Sequence, residues 1–184
     1  MIIIGIDGSS SKYGYCIYDT IKKEILELSY KIFDPKNNLL QKADEFKDHL
    51  SNLISQYKIT DFVIEESFSK FTGKTTPHTI AILNQINILY QYTSYLQGLN
   101  INTISVHNSR KYAFVDKKPS RKIKIKEKEQ MFAFVLDELG PSYFPTHIIS
   151  KGKRKGVIEY EEVAGDISDS YVVLFGYLRM NKII

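Results

Sequence analysis

The chain has 184 residues, a length that suits one domain over residues 1–184 and leaves little room for two. Hydrophobic residues at 43% and charged residues at 25% match ordinary globular usage, which excludes wholesale disorder. A single cysteine, Cys16, excludes an internal disulfide framework and a cysteine-rich zinc site, and no apolar run is long enough to predict a membrane-spanning helix.

Element types alternate along the chain. Ile2–Asp7 is a short apolar run of the kind found in a strand buried on both faces, not a signal peptide: it lacks a basic leading segment and a small-residue cleavage site. Residues 8–11 form a turn, Tyr13–Tyr18 resumes as a second strand and Glu24–Phe33 as a third, with hairpin connections the simplest choice. Leu39, Leu40, Ala43, Phe46, Leu50, Leu53, Ile54 and Tyr57 recur at three- and four-residue spacing and predict an amphipathic helix. Asp61–Glu65 reads as a fourth strand, Thr79–Leu96 as a long helix apolar nearly all round, and Ile101–Val106 as a fifth strand. That long helix is expected either at the centre of the domain or in a dimer interface. A helix over Lys124–Leu139, a hairpin of His147–Ser150 with Val157–Tyr160, and an apolar helix over Val163–Met180 complete the chain. The order predicts an α/β fold: a mixed five-stranded sheet with helices on both faces.

The net charge of +4 is unevenly spread. Between Arg110 and Lys128 nine basic residues face only Asp116 and Glu127, and a second basic knot lies at 151–156. A mildly acidic body with two basic outgrowths suits local grip on a polyanion, and equally suits solvated loops that keep a chain soluble.

Four carboxylates carry the candidate chemistry. Asp7 closes the first strand after isoleucines and a glycine, and Glu65 closes the fourth after Phe62, Val63 and Ile64. Asp166 and Asp169 stand three residues apart at the start of the last helix and share a face. In open mixed sheets the site lies at strand ends, onto which a helix start can project. Acids brought together there repel unless a cation sits among them. Hard oxygen donors without thiolate or imidazole suit Mg²⁺ or Mn²⁺, and two such ions can clamp a phosphodiester. Each acid also has a purely structural reading: Asp7 as a turn former, Glu65 or Glu66 as a solvated strand end, Asp166 as a helix N-cap with Asp169 at N3. His78, His107 and His147 fit no catalytic pattern.

Three segments, together covering the order of nearly the whole chain, carry a family resemblance. Residues 4–15 (IGIDGSSSKYGY) resemble the first strand and turn of RuvC-type Holliday-junction resolvases. Residues 62–68 (FVIEESF) resemble their fourth strand, and residues 166–171 (DISDSY) their closing Asp-x-x-Asp helix. The likeness is nearest to the divergent resolvases carried by phages, which implies work in the host-cell cytoplasm. The resemblance implies an RNase H-like fold and metal-dependent cutting of four-way and other branched DNA by a homodimer whose long apolar helix is the dimer helix. Products would carry a 5′-phosphate and a 3′-hydroxyl. Asp7, Glu65, Asp166 and Asp169 become the catalytic quartet that binds two Mg²⁺ ions (Mn²⁺ as the substitute), with Glu65 preferred to Glu66. Lys128 becomes a catalytic cation beside the scissile phosphate. Phe68 becomes an aromatic that stacks on bases at the crossover, and Arg110 and Lys111 become DNA contacts; by charge alone Lys122, Lys124, Lys153 and Arg154 are further candidates for DNA contact, the last two on a tip that equally reads as a charged turn with no role. Two departures stand out: Asp7 is followed directly by Gly8, and the connection over 141–160 is long, with a basic tip. Three other readings remain: a junction-binding protein without catalysis, a nuclease of the same fold acting on RNA–DNA hybrid, and an actin-like ATPase, for which a second phosphate loop is not found.

Overall fold

The computed structural model describes residues 1–67, 76–114, 117, 126–151 and 154–184. Among these residues, β1 (Ile2–Gly8), β2 (Lys12–Asp19), β3 (Glu24–Ile32), β4 (Asp61–Glu65) and β5 (Asn100–Ile104) form one sheet in the order β3-β2-β1-β4-β5. The first three strands are antiparallel hairpin partners, whereas β4 and β5 run parallel to β1, so the sheet is mixed as expected.

Helix boundaries follow local chemistry. α1 (Leu39–Tyr57) opens on a capping box: the Asn38 side chain accepts from the Leu40 and Gln41 amides, and the Gln41 side chain accepts from the Asn38 amide. α2 (Pro77–Leu96) starts on a Thr76 cap with proline in its first turn, where a missing amide proton costs nothing. The strand expected to run to Val106 stops at Ile104. Ser105 accepts from the Asn108 amide and caps a short helix, α3 (Val106–Ala113), that the strand reading overlooked. α4 (Glu127–Leu139), a single 3₁₀ turn at Pro141–Tyr143, the small hairpin β6 (Thr146–Ile148) and β7 (Ile158–Tyr160), and α5 (Val163–Met180) follow. The expected start of α4 at Lys124 lies outside the described residues.

The period of two in the strands divides the core into two layers. Ile4, Ile6, Tyr13, Tyr15, Ile17, Phe62 and Ile64 pack with Phe46, Leu50, Ile86 and Tyr90 of α1 and α2. Ile3, Cys16, Tyr18 and Val63 pack on the opposite face with α5, Ala113 of α3, and Met131 and Val135 of α4. α5 lies across β1 and β2 and against α3. Its depth depends on Gly14, where a Cβ would drive into the backbone carbonyl of Asp166. The long helix α2 is not buried all round: Ile86 and Tyr90 enter the core, while Ile88, Tyr92, Tyr95 and Leu96 face outward.

Candidate active site

Parity decides where the strand acids point. Asp7 follows Ile3 and Gly5 on the α5 side of β1, and Glu65 follows Val63 on the same side of β4. The parallel register pairs Ile6 with Ile64, so the two acids lie one residue beyond a matched pair, side by side at the same sheet end. The first turns of α5 bring Asp166 and Asp169 over that end, and Asp7, Glu65 and Asp166 share a cleft of about 250 Å³ with Lys128, Ser9 and Asn87.

The structural readings of the acids fail one by one. Asp7 is a strand residue paired opposite Gly14, and the following turn is held instead by Ser9, whose hydroxyl donates to the Lys12 carbonyl at 3.0 Å. Glu65 is half-buried and its Oε1 accepts from the Ser109 hydroxyl at 3.1 Å, whereas Glu66 is exposed. α5 begins at Val163 with Glu162 at the cap position, so Asp166 stands inside the first turn and does not cap it.

The electrostatics of the cluster demand positive charge. Burial, then the charges of Asp169 and Glu65, push the Asp7 carboxyl well above the ordinary carboxylate range. Burial also raises Glu65, against the Ser109 hydrogen bond, and raises Asp169, against the charge of Lys128. Lys128 Nζ lies 2.5 Å from Asp169 Oδ2. Burial opposes the Lys128 charge, yet Asp169, Asp7 and Asp166 together raise its pKa. Arg110, half-buried on α3, reaches Glu127 at 3.8 Å and favours the ionised forms of Glu65 and Asp169.

Sequence reasoning overlooked three contributors. Lys12 of β2 donates to Glu162 at 2.8 Å and lies 3.1 Å from Asp166 Oδ2, with a side chain only 16% exposed. Its parity with Gly14 and Cys16, opposite Tyr13 and Tyr15, is the signal that places it on the α5 face. Ser109 escaped notice because the sequence reading assigned no element to residues 107–113, where α3 lies. It stands where α3 meets α5, since a Cβ at Gly176 would strike its backbone. Asn87 of α2 donates to the Glu65 carbonyl at 2.8 Å and steadies the end of β4.

The remaining sequence candidates are more distant from the cleft or outside the description. Lys111 is exposed, with Nζ 4.9 Å from the centre of the Tyr112 ring. Arg154, at the tip of the β6–β7 hairpin, pairs with Glu159. Phe68, Lys122, Lys124 and Lys153 lie outside the described residues.

No protein-family model and no curated protein matches this sequence. Solved structures do. The RuvC of T. thermophilus in complex with Holliday junction substrate superposes over 99% of this chain and 95% of its own, at 10% identity and a TM-score of 0.66. The chain has the RuvC fold. A second structure of Thermus thermophilus RuvC matches over 98% of this chain and 97% of its own, at 12% identity and a TM-score of 0.60. The yeast mitochondrial Holliday junction resolvase Ydc2 matches over 98% of this chain and 79% of its own, at 15% identity and a TM-score of 0.57. The RuvC fold therefore accounts for the α/β architecture anticipated from the order of elements.

The donor set also bears on a metal. As the side chains stand, no three carboxylate, imidazole or thiolate groups among the described residues close around one point. Instead, two ammonium groups sit among the acids, Lys128 on Asp169 and Lys12 on Asp166. Asp166 Oδ2 is buried and receives no well-directed hydrogen bond. Four hard oxygen ligands with compensating cations and no soft donor fit a divalent ion of the Mg²⁺ class.

Proposed function

We propose that this chain is a structure-specific DNA endonuclease that resolves four-way and other branched junctions by phosphodiester hydrolysis. The observation that carries the reading is the convergence of Asp7, Glu65 and Asp166, with Asp169 one turn on, at one sheet end of a RuvC fold that spans the chain. In this reading Asp7, Glu65, Asp166 and Asp169 would hold two Mg²⁺ ions, with Mn²⁺ as a substitute. When bound, the ions supply Lewis acidity to the phosphate and lower the pKa of a water.

The chain's own groups do the rest. Glu65 is oriented by Ser109, and Lys12 and Glu162 brace Asp166, so the acids are held before substrate arrives. Lys128, which pairs with Asp169 at the mouth of the cleft, would donate to the scissile phosphate and stabilise its developing charge. The water oxygen bonds to phosphorus as the P–O3′ bond breaks. The strand then ends in a 5′-phosphate and a 3′-hydroxyl that takes up the proton. Arg110, Lys111 and the basic segment that follows supply phosphate contacts.

The outward face of α2 would make the homodimer. Ile88, Tyr92, Tyr95 and Leu96 form an exposed apolar patch, and the first three of them, with Gln91 and Ile101, line a shallow groove. A second copy seated there through a two-fold axis would bury the patch and present two catalytic clefts to one junction.

The test is cleavage of an end-labelled four-way DNA junction with and without Mg²⁺, beside linear duplex and RNA–DNA hybrid. Paired symmetric nicks near the branch that require the metal are expected. Tight junction binding without a cut under Mg²⁺ or Mn²⁺ would instead make the chain a binding protein, and preferential cutting of the hybrid would move the substrate.

A further inference from the structure

A second cavity of about 320 Å³ opens beside the catalytic cleft, between α4, β7 and the first turn of α5. The two share Lys128. Its aromatic side is Phe132 and Tyr160, whose rings meet edge to face at 5.3 Å. Both are anchored from behind by the buried ring of Phe144, at 5.3 Å from Phe132 and 6.2 Å from Tyr160. Its rim is polar: Lys126 and Lys128 on the α4 side, Glu161 on the other. The Glu161 carboxylate has no hydrogen-bond or ion-pair partner among the described residues, whereas Glu129 is spent on the Lys126 amide at 3.4 Å.

The floor holds the telling residue. Gly165 lies within α5 with ordinary helical backbone, where alanine would favour the helix. No neighbour forces the glycine, because a Cβ there would meet only the Lys128 side chain at 3.8 Å. A side chain at this position would enter the open space of the cavity.

We propose that this cavity receives one unpaired nucleobase of the strand being cut, taken from a nucleotide next to the scissile phosphate. The inference rests on the DNA-cutting function proposed above and names how that substrate is read. Four properties argue for a base. The rigid apolar wall suits a planar ring. The two lysines complement its flanking phosphates, and the Glu161 carboxylate, unpaired among the described residues, suits an exocyclic amino group. Lys128 ties the occupant to the cleft where the backbone would be cut. A branch point lowers the cost of extracting a base because its nucleotides are already imperfectly stacked.

The experiment uses the full chain and four-way junctions in which each nucleotide flanking the mapped cut is made abasic in turn. Wild-type protein is expected to bind and cut one of these junctions about tenfold more weakly than the intact one, the loss of a single base–aromatic contact. Gly165→Leu fills the cavity. It is expected to lose about as much on the intact junction and to lose nothing more on the abasic one, while melting at or above the wild-type temperature. Glu161→Ala, at the far rim from Lys128, should flatten any preference for an amino-bearing base at that position. The inference is overturned if wild type treats every abasic junction like the intact one, or if Gly165→Leu still discriminates between them. Failure of wild type to cut the intact junction would bring down the resolvase reading first, and this inference with it.

Discussion

Asp7 is held in a place that a lone carboxylate would not choose: burial and its acid neighbours both work against its charge. The consequence for stability has a definite sign. Asp7, Glu65 and Asp169 all have folded values above the ordinary range. In the window from about pH 4, where free carboxylates ionise, up to those raised values, the folded chain holds protons that the unfolded chain has released. These groups therefore favour folding at the acid end of the window, and that contribution is lost as pH rises through it. In the presence of a chelator, Asp7→Asn should melt higher than wild type at pH 7.5, by a few degrees on the scale of about 2–4 °C per kcal/mol. Thermal melts between pH 5 and 8, with EDTA and with Mg²⁺, measure it; a lower melting temperature for the variant in EDTA would contradict the electrostatic account. The same substitution, or Asp169→Asn, should reduce junction cutting by at least about 100-fold, since even groups that only orient metal ligands often cost 10–100-fold. Junction binding should persist, so cleavage and gel-shift assays on the same samples separate the two effects. Near wild-type cutting by either variant would remove it from the metal site.

At the scale of elements, the site depends on how closely α5 rests on the sheet. Gly14 lets the Asp166 backbone approach β2, and the approach leaves Lys12 beside Asp166. Gly14→Ala should destabilise the fold by about 1–3 kcal/mol, the usual cost of forcing extra volume into a packed interior, and should depress cutting in the surviving folded protein. Denaturant titration followed by assay below the transition checks both. α2 poses a different question, because one of its apolar faces meets the core and the other is exposed. Ile86 and Tyr90 bind it to the core, while Ile88 and Tyr92 stand outside. Replacing Ile88 and Tyr92 together by glutamate should leave the fold intact and convert a dimer into a monomer by light scattering. Paired nicks should then become single, unlinked ones. A variant that stays dimeric would show that another face makes the contact.

For the molecule as a whole, charge distribution matters more than net charge. Lys12, Lys128 and Arg110 gather around a group of acids, and Arg110 opens a sequence run of nine basic residues that ends at Lys128. A surface of that kind would attract a phosphate backbone to the sheet end where the acids lie. Junction affinity should fall about 100-fold between 50 and 200 mM salt if about four phosphates are contacted. A salt titration by fluorescence anisotropy measures the slope, and a nearly flat line would mean that the basic segments do not engage the backbone.

Much of this was legible before folding was considered. The strands were readable because buried sheet residues must be apolar over short runs, and α5 because an uninterrupted apolar stretch ends in a basic and polar tail. Asp7 and Glu65 were conspicuous because a charge at the end of such a run needs a partner or a use. The fifth strand was extended two residues too far because Val106 is apolar enough for a strand, whereas Ser105 caps the helix that starts there. The sequence by itself determined the order of elements and the types of ligand at the site, since both follow from local pattern and side-chain chemistry. Only the tertiary structure decided that Lys12, Ser109 and Asn87 join the acids, that α2 keeps one apolar face uncovered, and that Gly165 leaves a cavity. Those facts depend on which surfaces distant segments present to one another, and no local period encodes them.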